Sequence, residues 1–293
     1  MKVKEIIDKF REDLAMHYSA EELEQIIFLV FESEMNFKRT DLVLEADRKL
    51  HIHESLRFNE MLGLLIQHTP IQYVLGHAWF DGMKFKVNKD VLIPRQETEE
   101  LVQWIETSID KDSSIAFGKC LDIGTGSGCI AISLKKRLPH LAVLALDISE
   151  SALKVAGENA KHLGKTISLF QADILKWEKF SPDSSLAKAE EFEIIVSNPP
   201  YVLQEEKKRM ESRVTDFEPH SALFVPDSDP LLFYKKIASY AVRSLKPEGY
   251  LYFEINEAKG SDMIQLLSEM GFVQVEIKND MQNKPRMIRG RKP

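Results

Sequence analysis

Apolar residues follow two different rhythms along this chain, and the change comes near residue 70. Val3, Ile6, Ile7, Phe10 and Leu14 recur three and four positions apart, the spacing that lines one helix face. Ser19 followed by Glu22 makes a capping box ahead of Leu23, Ile26, Ile27 and Val30, so a second helix starts there. Leu56, Met61, Leu62, Leu65 and Ile66 carry another helical stripe, which stops before Thr69-Pro70 because proline cannot continue it. Residues 1–72 are therefore expected to form a small helical bundle, with docking of a substrate as its expected role.

From Tyr73 to Pro94 alternation takes over. Trp79-Phe80, the turn pair Asp81-Gly82, then Met83, Phe85 and Val87 predict a β-hairpin, and residues 73–95 read as a linker. A helix begins near Thr98. Beyond residue 118 short apolar strands alternate with helices. The strands expected are Cys120 to Ile123, Ala142 to Leu146, Ile167 to Ala172, Phe192 to Ser197 and Tyr250 to Ile255, with Phe272 to Ile277 and a piece around Met287 at the end. The helices run from Cys129 to Leu138, Ser151 to Leu163, Pro230 to Leu245 and Ser261 to Met270. This alternation predicts an α/β domain over 96–293, with a parallel sheet covered on both faces and ligands at the carboxyl ends of its strands. Residues 181–191 read as a polar surface loop, and no internal repeat is visible.

Composition narrows the class of protein. At 293 residues, with 44% hydrophobic residues, the chain can bury a sizeable core. The two cysteines, Cys120 and Cys129, flank a glycine-rich segment and form neither a disulfide framework nor a zinc cluster, so no metal is expected. No stretch approaches the roughly 20 apolar residues of a membrane helix, and Glu5 and Asp8 interrupt any signal-like start. A cytoplasmic location and no membrane partner are the expectation. A net charge of −7 argues against a stable nucleic-acid partner.

Candidate chemistry sits at two strand ends. Asp122-Ile123-Gly124-Thr125-Gly126-Ser127-Gly128 joins the first strand to its helix. Glycines permit a sharp bend and a close ligand, and the helix start favours a negative group. A dinucleotide fingerprint needs a third glycine where Cys129 stands. Asp122 offers a carboxylate to an ammonium group, which NAD lacks. Asp147, 19 residues past Gly128, can accept both hydroxyls of a ribose. Asp173, closing the third strand, can take an adenine amino group. S-adenosylmethionine satisfies these requirements better than NAD. The cofactor residues expected are Gly124, Thr125, Gly126, Ser127, Gly128, Asp147, Asp173, Ile174 and Asn198.

The second site is Asn198-Pro199-Pro200-Tyr201, directly after the strand Ile194 to Ser197. Two prolines fix two φ angles and push Asn198 away from helical geometry, giving a stiff rim that presents acceptors. An amide NH2 is a poor nucleophile because its lone pair is delocalised. The Asn198 side-chain oxygen and the Pro199 carbonyl can each accept one of its N–H bonds, while the Tyr201 ring packs on the planar group. Asn198 and Pro199 are the expected catalytic residues; Asn198, Pro199, Pro200 and Tyr201 the substrate-binding ones. Positioning and charge stabilisation would supply the catalysis.

These motifs, with Pro70-Ile71-Gln72-Tyr73, Leu92-Ile93-Pro94-Arg95 and Phe217-Glu218-Pro219, resemble the bacterial peptide chain release factor N5-glutamine methyltransferases, the PrmC/HemK family. The resemblance covers nearly the whole chain. It implies a seven-stranded Rossmann-like methyltransferase sheet with a small helical N-terminal domain. It also implies methyl transfer from S-adenosylmethionine to the glutamine of the Gly-Gly-Gln motif in class I release factors. Transferred by position, Gly124 to Gly128 and Asp147 would hold the cofactor and Asn198 to Tyr201 the glutamine. Ile174 departs from relatives that carry an aromatic residue there; it can still cover an adenine face by apolar contact.

Asn-Pro-Pro-Tyr also resembles the motif of DNA and RNA adenine methyltransferases, which stand as the alternative. Only about 90 residues follow Tyr201, which leaves little chain for a target-recognition region. A non-catalytic nucleotide-binding module is a further alternative. Arg95 and Glu218 read equally as site residues or as a salt bridge. The basic end, Arg286, Arg289, Arg291 and Lys292, reads as a solvated tail rather than as a contact for an acidic partner. A monomer is expected.

Overall fold

Val3, Ile6, Ile7, Phe10 and Leu14 all turn inward from α1 (Val3–Leu14) in the computed structural model, which describes all residues except 110–117, 182–183 and 190. Four helices follow: α2 (Ala20–Met35), α3 (Asp41–Leu44), α4 (Ile52–Ile66) and α5 (Ile71–Leu75). The Ser19 hydroxyl accepts from the Glu22 N–H and caps α2, as the sequence predicts. The Glu22 carboxylate does not reach back to complete the box; it pairs with Arg213 instead. On α4 the buried face is Phe58, Met61, Leu62 and Leu65, whereas Leu56 and Ile66 point to solvent. Tyr73 lies inside α5 and not in a strand. Pro70 supplies the first carbonyl of that helix, and Gly76 ends it at a φ of 73°.

These helices form one of two compact units, made of Met1–His77 together with Glu211–Phe217. The distant segment joins them through side chains. The Arg213 guanidinium lies 5.0 Å over the Tyr18 ring, and the Tyr18 hydroxyl donates to the Leu65 carbonyl at 3.0 Å. Phe58 is fully buried, with its ring 4.5 Å from that of Phe31. Phe58→Ala should therefore destabilise this unit by about 3–5 kcal/mol, read as a lower denaturation midpoint in urea.

The other unit spans Ala78–Met210 and Glu218–Pro293. Its hairpin pairs β1 (His77–Phe80) with β2 (Met83–Lys86), and Asp81 and Gly82 take φ values of 51° and 67°, the mirror-image turn that suits twisted strands. Phe80, Met83 and Phe85 are buried in this unit's core, so the hairpin packs as part of it. The buried Asp81 carboxylate accepts from Arg137 Nε at 3.0 Å and pins the turn.

The remaining elements are α6 (Gln96–Ile109), β3 (Lys119–Ile123), α7 (Cys129–Arg137), β4 (Ala142–Asp147), α8 (Glu150–His162), β5 (Ser168–Gln171) and β6 (Phe192–Ser197). Then come β7 (Val202–Leu203), α9 (Ser212–Thr215, part of the helical unit), α10 (His220–Leu223), β8 (Phe224–Val225) and α11 (Leu232–Ser244). Finally β9 (Leu245–Glu254), α12 (Gly260–Glu269), β10 (Val273–Asn279) and β11 (Pro285–Arg291) complete the unit. Seven strands make one sheet in the order β10-β11-β9-β6-β3-β4-β5. Alternate residues of each strand feed the two faces. Val143, Ala145, Ile194, Val196 and Tyr252 meet α6 and α7, while Leu121, Leu144, Ile195, Leu251 and Phe253 meet α11 and α12.

One strand departs from the parallel expectation. β11 runs antiparallel to both β9 and β10, because the tight turn from Asp280 to Lys284 folds it back as a hairpin. The basic end is correspondingly not a solvated tail. Arg286, Arg289 and Arg291 are paired with Asp280, Glu276 and Glu248, and Lys292 Nζ donates to the Leu245 carbonyl. Within the expected loop 181–191, residues 182–183 and 190 lie outside the described residues; Leu186 is buried, and its carbonyl accepts from the Tyr240 hydroxyl. Among the described residues no helix is long and apolar enough to cross a membrane.

Candidate active site

Sheet register brings the two motifs to one end. β3 lies between β4 and β6, with Ile123 beside Leu146 on one side and Ser197 on the other. Ser197 in turn faces Phe253 of β9. The loops after Ile123, Leu146, Ser197 and Phe253 thus leave neighbouring strands at the same height. Strand order runs outward from β3 to β5 and then returns to β6, so this is the switch point of the sheet, where α/β folds open a ligand crevice. The Ser197 hydroxyl ties the two central strands by donating to the Ile123 carbonyl at 2.6 Å.

Three glycines shape the first loop, for different reasons. Gly124 and Gly126 have φ values of 75° and 54°, and a Cβ built on either would meet no protein atom within 4 Å. Gly128, at φ 81°, would instead press its Cβ on Ile132 at 3.0 Å and Ala156 at 3.2 Å. The first two leave room for a ligand; the third lets α7 pack on α8. Asp147 braces the bend. Its Oδ2 accepts from the Gly126 N–H and its Oδ1 from the Ser149 N–H, both at 2.9 Å, which leaves a lone pair on each oxygen. Burial pushes its carboxyl above the usual range while the Ser149, Gly126 and Ile148 N–H groups hold it back. Beside it Ile148 stands 59% exposed, an apolar surface that spacing alone does not single out.

Asp122 is fully buried behind the same loop. Its Oδ2 accepts from the Thr125 hydroxyl at 2.6 Å, and its Oδ1 has no hydrogen-bond partner among the described residues. Burial pushes this carboxyl up to about 7, against the pull of the Thr125 hydroxyl and the Ala131 N–H. A buried acceptor without a donor invites a ligand N–H. Asp173 begins the 3-10 turn Ile174–Lys179, accepting from the Leu175 N–H at 3.0 Å and pairing with Lys176 at 2.7 Å. Ile174 is buried in the cluster that includes Leu146 and Tyr234. The donor set therefore fits a ligand with an ammonium group and a vicinal diol. Burial pushes the Cys129 thiol up to about 12, away from the thiolate form that a nucleophile needs.

At the second motif Pro199 is buried and Asn198 half-buried. Asn198 Nδ2 donates to Thr98 Oγ1 at 3.2 Å. Thr98 donates its hydroxyl to Glu254 Oε2 at 2.6 Å, and Glu254 Oε1 accepts from the Tyr201 hydroxyl at 3.0 Å. Thr98 and Glu254 are buried, in α6 and at the end of β9, and neither belongs to a sequence motif that marks a site. The only signal for them was position, since Glu254 ends the strand beside Asn198 and Thr98 opens a helix. The Tyr201 ring is partly buried against the core cluster that includes Tyr234, Phe253 and Ile255.

Arg95 and Glu218 form an ion pair, and Glu218 Oε2 also accepts from the Ile93 N–H at 3.2 Å. Glu218 is 3% exposed. It thus staples the Leu-Ile-Pro-Arg segment to the start of α10. Glu218→Ala should lower stability by roughly 1–3 kcal/mol, measured by equilibrium unfolding, because it strands a buried N–H.

Fold, glycine loop and proline rim together define a methyltransferase of the S-adenosylmethionine-dependent class. The model of the methyltransferase small domain matches residues 98–216, and that of the PrmC N-terminal domain matches residues 5–76. A release factor glutamine methyltransferase of Flavobacterium psychrophilum is 44% identical over 289 residues, 99% of each chain. One of Bacteroides thetaiotaomicron is 41% identical over 278 residues, covering 95% of this chain and 96% of the other. The chain belongs to the release factor glutamine methyltransferase family. Among solved structures, the hMettl16 catalytic domain, in complex with a MAT2A 3′UTR hairpin, covers 81% of each chain at a TM-score of 0.54 and 14% identity, a likeness of fold.

Proposed function

We propose that this enzyme methylates the side-chain amide nitrogen of the glutamine in the Gly-Gly-Gln motif of class I release factors, in the cytoplasm and in support of translation termination. Family membership along the full chain supports the reading. The observation that carries it is the orientation of Asn198, whose NH2 is spent on Thr98 so that its Oδ1 is left as an acceptor at the strand end.

When bound, S-adenosylmethionine supplies an electrophilic methyl group on a positively charged sulfur. Gly124 to Gly128 would shape the bed for it, Asp147 would accept the ribose hydroxyls, Asp122 would take the ammonium group, and Ile148 and Ile174 would offer apolar cover. Asp173 is the candidate for the adenine amino group. Asn198 Oδ1 and the Pro199 carbonyl each accept one N–H of the substrate amide. Holding both hydrogens favours the pyramidal nitrogen over the planar one and stabilises positive charge as it develops there. Pro200 stiffens the rim, and Tyr201, anchored on Glu254, offers its ring to the flat amide. The helical unit takes the role of docking the release factor.

Mass spectrometry of a class I release factor incubated with enzyme and cofactor tests this. One methyl on the Gly-Gly-Gln glutamine is expected. Label entering duplex DNA or RNA offered in the same assay, with none on the release factor, would overturn it.

Cofactor affinity should also depend on pH through Asp122. Burial pushes this carboxyl up to about 7 and so favours its protonated form in the free protein at lower pH. Pairing with an ammonium group requires the charged form, so binding releases a proton. Affinity should therefore rise between pH 5.5 and 7, by at most about tenfold per pH unit. Isothermal titration should show that slope, and Asp122→Asn should flatten it.

A further inference from the structure

Asn198 carries an acceptor and a donor at the two ends of one flat amide, and only one of its two orientations serves the reaction proposed above. An amide flipped by 180° would aim its NH2 at the substrate NH2, donor against donor. Something in the protein must therefore choose. The chain of hydrogen bonds behind Asn198 makes that choice by counting protons.

Glu254 is 1% exposed and sits at the carboxyl end of β9, beside the Asn198 strand. Its carboxylate receives two hydroxyl donors, Thr98 on Oε2 at 2.6 Å and Tyr201 on Oε1 at 3.0 Å. Burial pushes this carboxyl above the usual range, while the Thr98 and Tyr201 hydroxyls and then Arg286 favour its charged form; the Tyr234 hydroxyl donates to its backbone carbonyl. Thr98 owns a single hydroxyl hydrogen, and that hydrogen is committed to Glu254. Toward Asn198 the same oxygen has only lone pairs to offer. It can accept an N–H but cannot donate to an amide oxygen. The Asn198 NH2 is found there, at 3.2 Å, which leaves Oδ1 at the opposite end.

We propose that Thr98 and Glu254 are positioning residues which lock the Asn198 amide in its acceptor-outward orientation and so restrict the site to substrates that present an NH2 donor. The inference deepens the glutamine reading and rests on it for the identity of the substrate. Its structural half, the locked amide, stands on the hydrogen bonds alone. The same carboxylate that sets Asn198 also anchors Tyr201, so one buried acid aligns both walls of the rim. Tyr201 and Asn198 lie three residues apart on a stiff dipeptide and have no direct bond to each other among the described residues. Glu254, which holds Tyr201 directly and Asn198 through Thr98, lies 53 residues beyond Tyr201 in the chain.

Three variants of the full-length enzyme test the lock. Thr98→Val keeps the shape and removes the hydroxyl; Thr98→Ser keeps the hydroxyl; Glu254→Gln keeps the shape and the hydrogen-bonding capacity but adds a competing donor. With a class I release factor as substrate, Thr98→Val should lower kcat roughly 10- to 100-fold and shift KM for S-adenosylmethionine by no more than about twofold. Thr98→Ser should recover most of the lost rate, and Glu254→Gln should fall between the two. A second readout needs no substrate. In protein labelled with 15N at asparagine, the Asn198 side-chain NH2 should be protected from solvent exchange in the parent and in Thr98→Ser, and unprotected in Thr98→Val. If Thr98→Val leaves both kcat and that protection near the parent values, or if Thr98→Ser is as slow as Thr98→Val, the lock does not exist. A parent enzyme that methylates no release factor would count against the proposed substrate instead, and the exchange measurement would still decide the lock.

Discussion

Asn198→Ala should slow methyl transfer to a release factor by about 10²- to 10³-fold while the enzyme stays folded. On the proposed mechanism the substrate nitrogen then loses one of its two acceptors and keeps only the Pro199 carbonyl. Behind the rim, Thr98 keeps its bond to Glu254, so the core of the sheet is undisturbed. The loss should appear in kcat more than in KM for either substrate, since the missing interaction strengthens as charge develops on nitrogen. Asn198→Asp makes a sharper comparison. It retains outward oxygens but has no N–H for Thr98, and two carboxylates then compete for one hydroxyl hydrogen. It too should be slow. Single-turnover rates with pre-bound cofactor measure both variants; a parent-like rate for Asn198→Ala would remove Asn198 from the chemistry.

The second large effect is expected at Asp147. Asp147→Ala should weaken S-adenosylmethionine binding roughly 10- to 100-fold, about 1.4–2.8 kcal/mol. Both oxygens are aimed by backbone N–H groups and each retains a lone pair, the arrangement a vicinal diol requires. Alanine removes those acceptors and also releases the Gly126 and Ser149 N–H groups, so the loop loses its brace at the same time. Asp147→Asn separates the two contributions, because it retains one oxygen for the ribose but offers an NH2 where a second acceptor stood. Its affinity should fall between those of parent and alanine variant. Isothermal titration calorimetry reads all three, and an alanine variant that binds within about twofold of the parent would take the ribose contact away from this residue.

Much of the architecture was legible before any coordinates. The helix stripe from Val3 to Leu14, the hairpin turn at Asp81-Gly82 and the strands from Cys120 to Ser197 all follow from side chains within one or two turns of each other. Such short-range patterns constrain the backbone directly. Positive φ at Gly124, Gly126 and Gly128 was legible for the same reason, since few other residues adopt it without strain. The stripe on α4 was legible only in part. Leu56 and Ile66 fit the apolar pattern yet face outward, because a stripe records spacing and not which side another element will cover.

What the chain determined by itself, then, was its set of local elements, the glycine bend and the stiff Asn198 to Tyr201 rim. Tertiary structure alone decided their partners: β11 folded between β9 and β10, residues 211–217 joined to the helical unit, Glu218 bonded to Arg95 across 123 positions and Glu254 to Thr98 across 156. The reason is physical. A turn or an apolar period is specified by neighbours, whereas a buried threonine or glutamate has no local signature and acquires its meaning only when the closed sheet sets it beside the group it must satisfy.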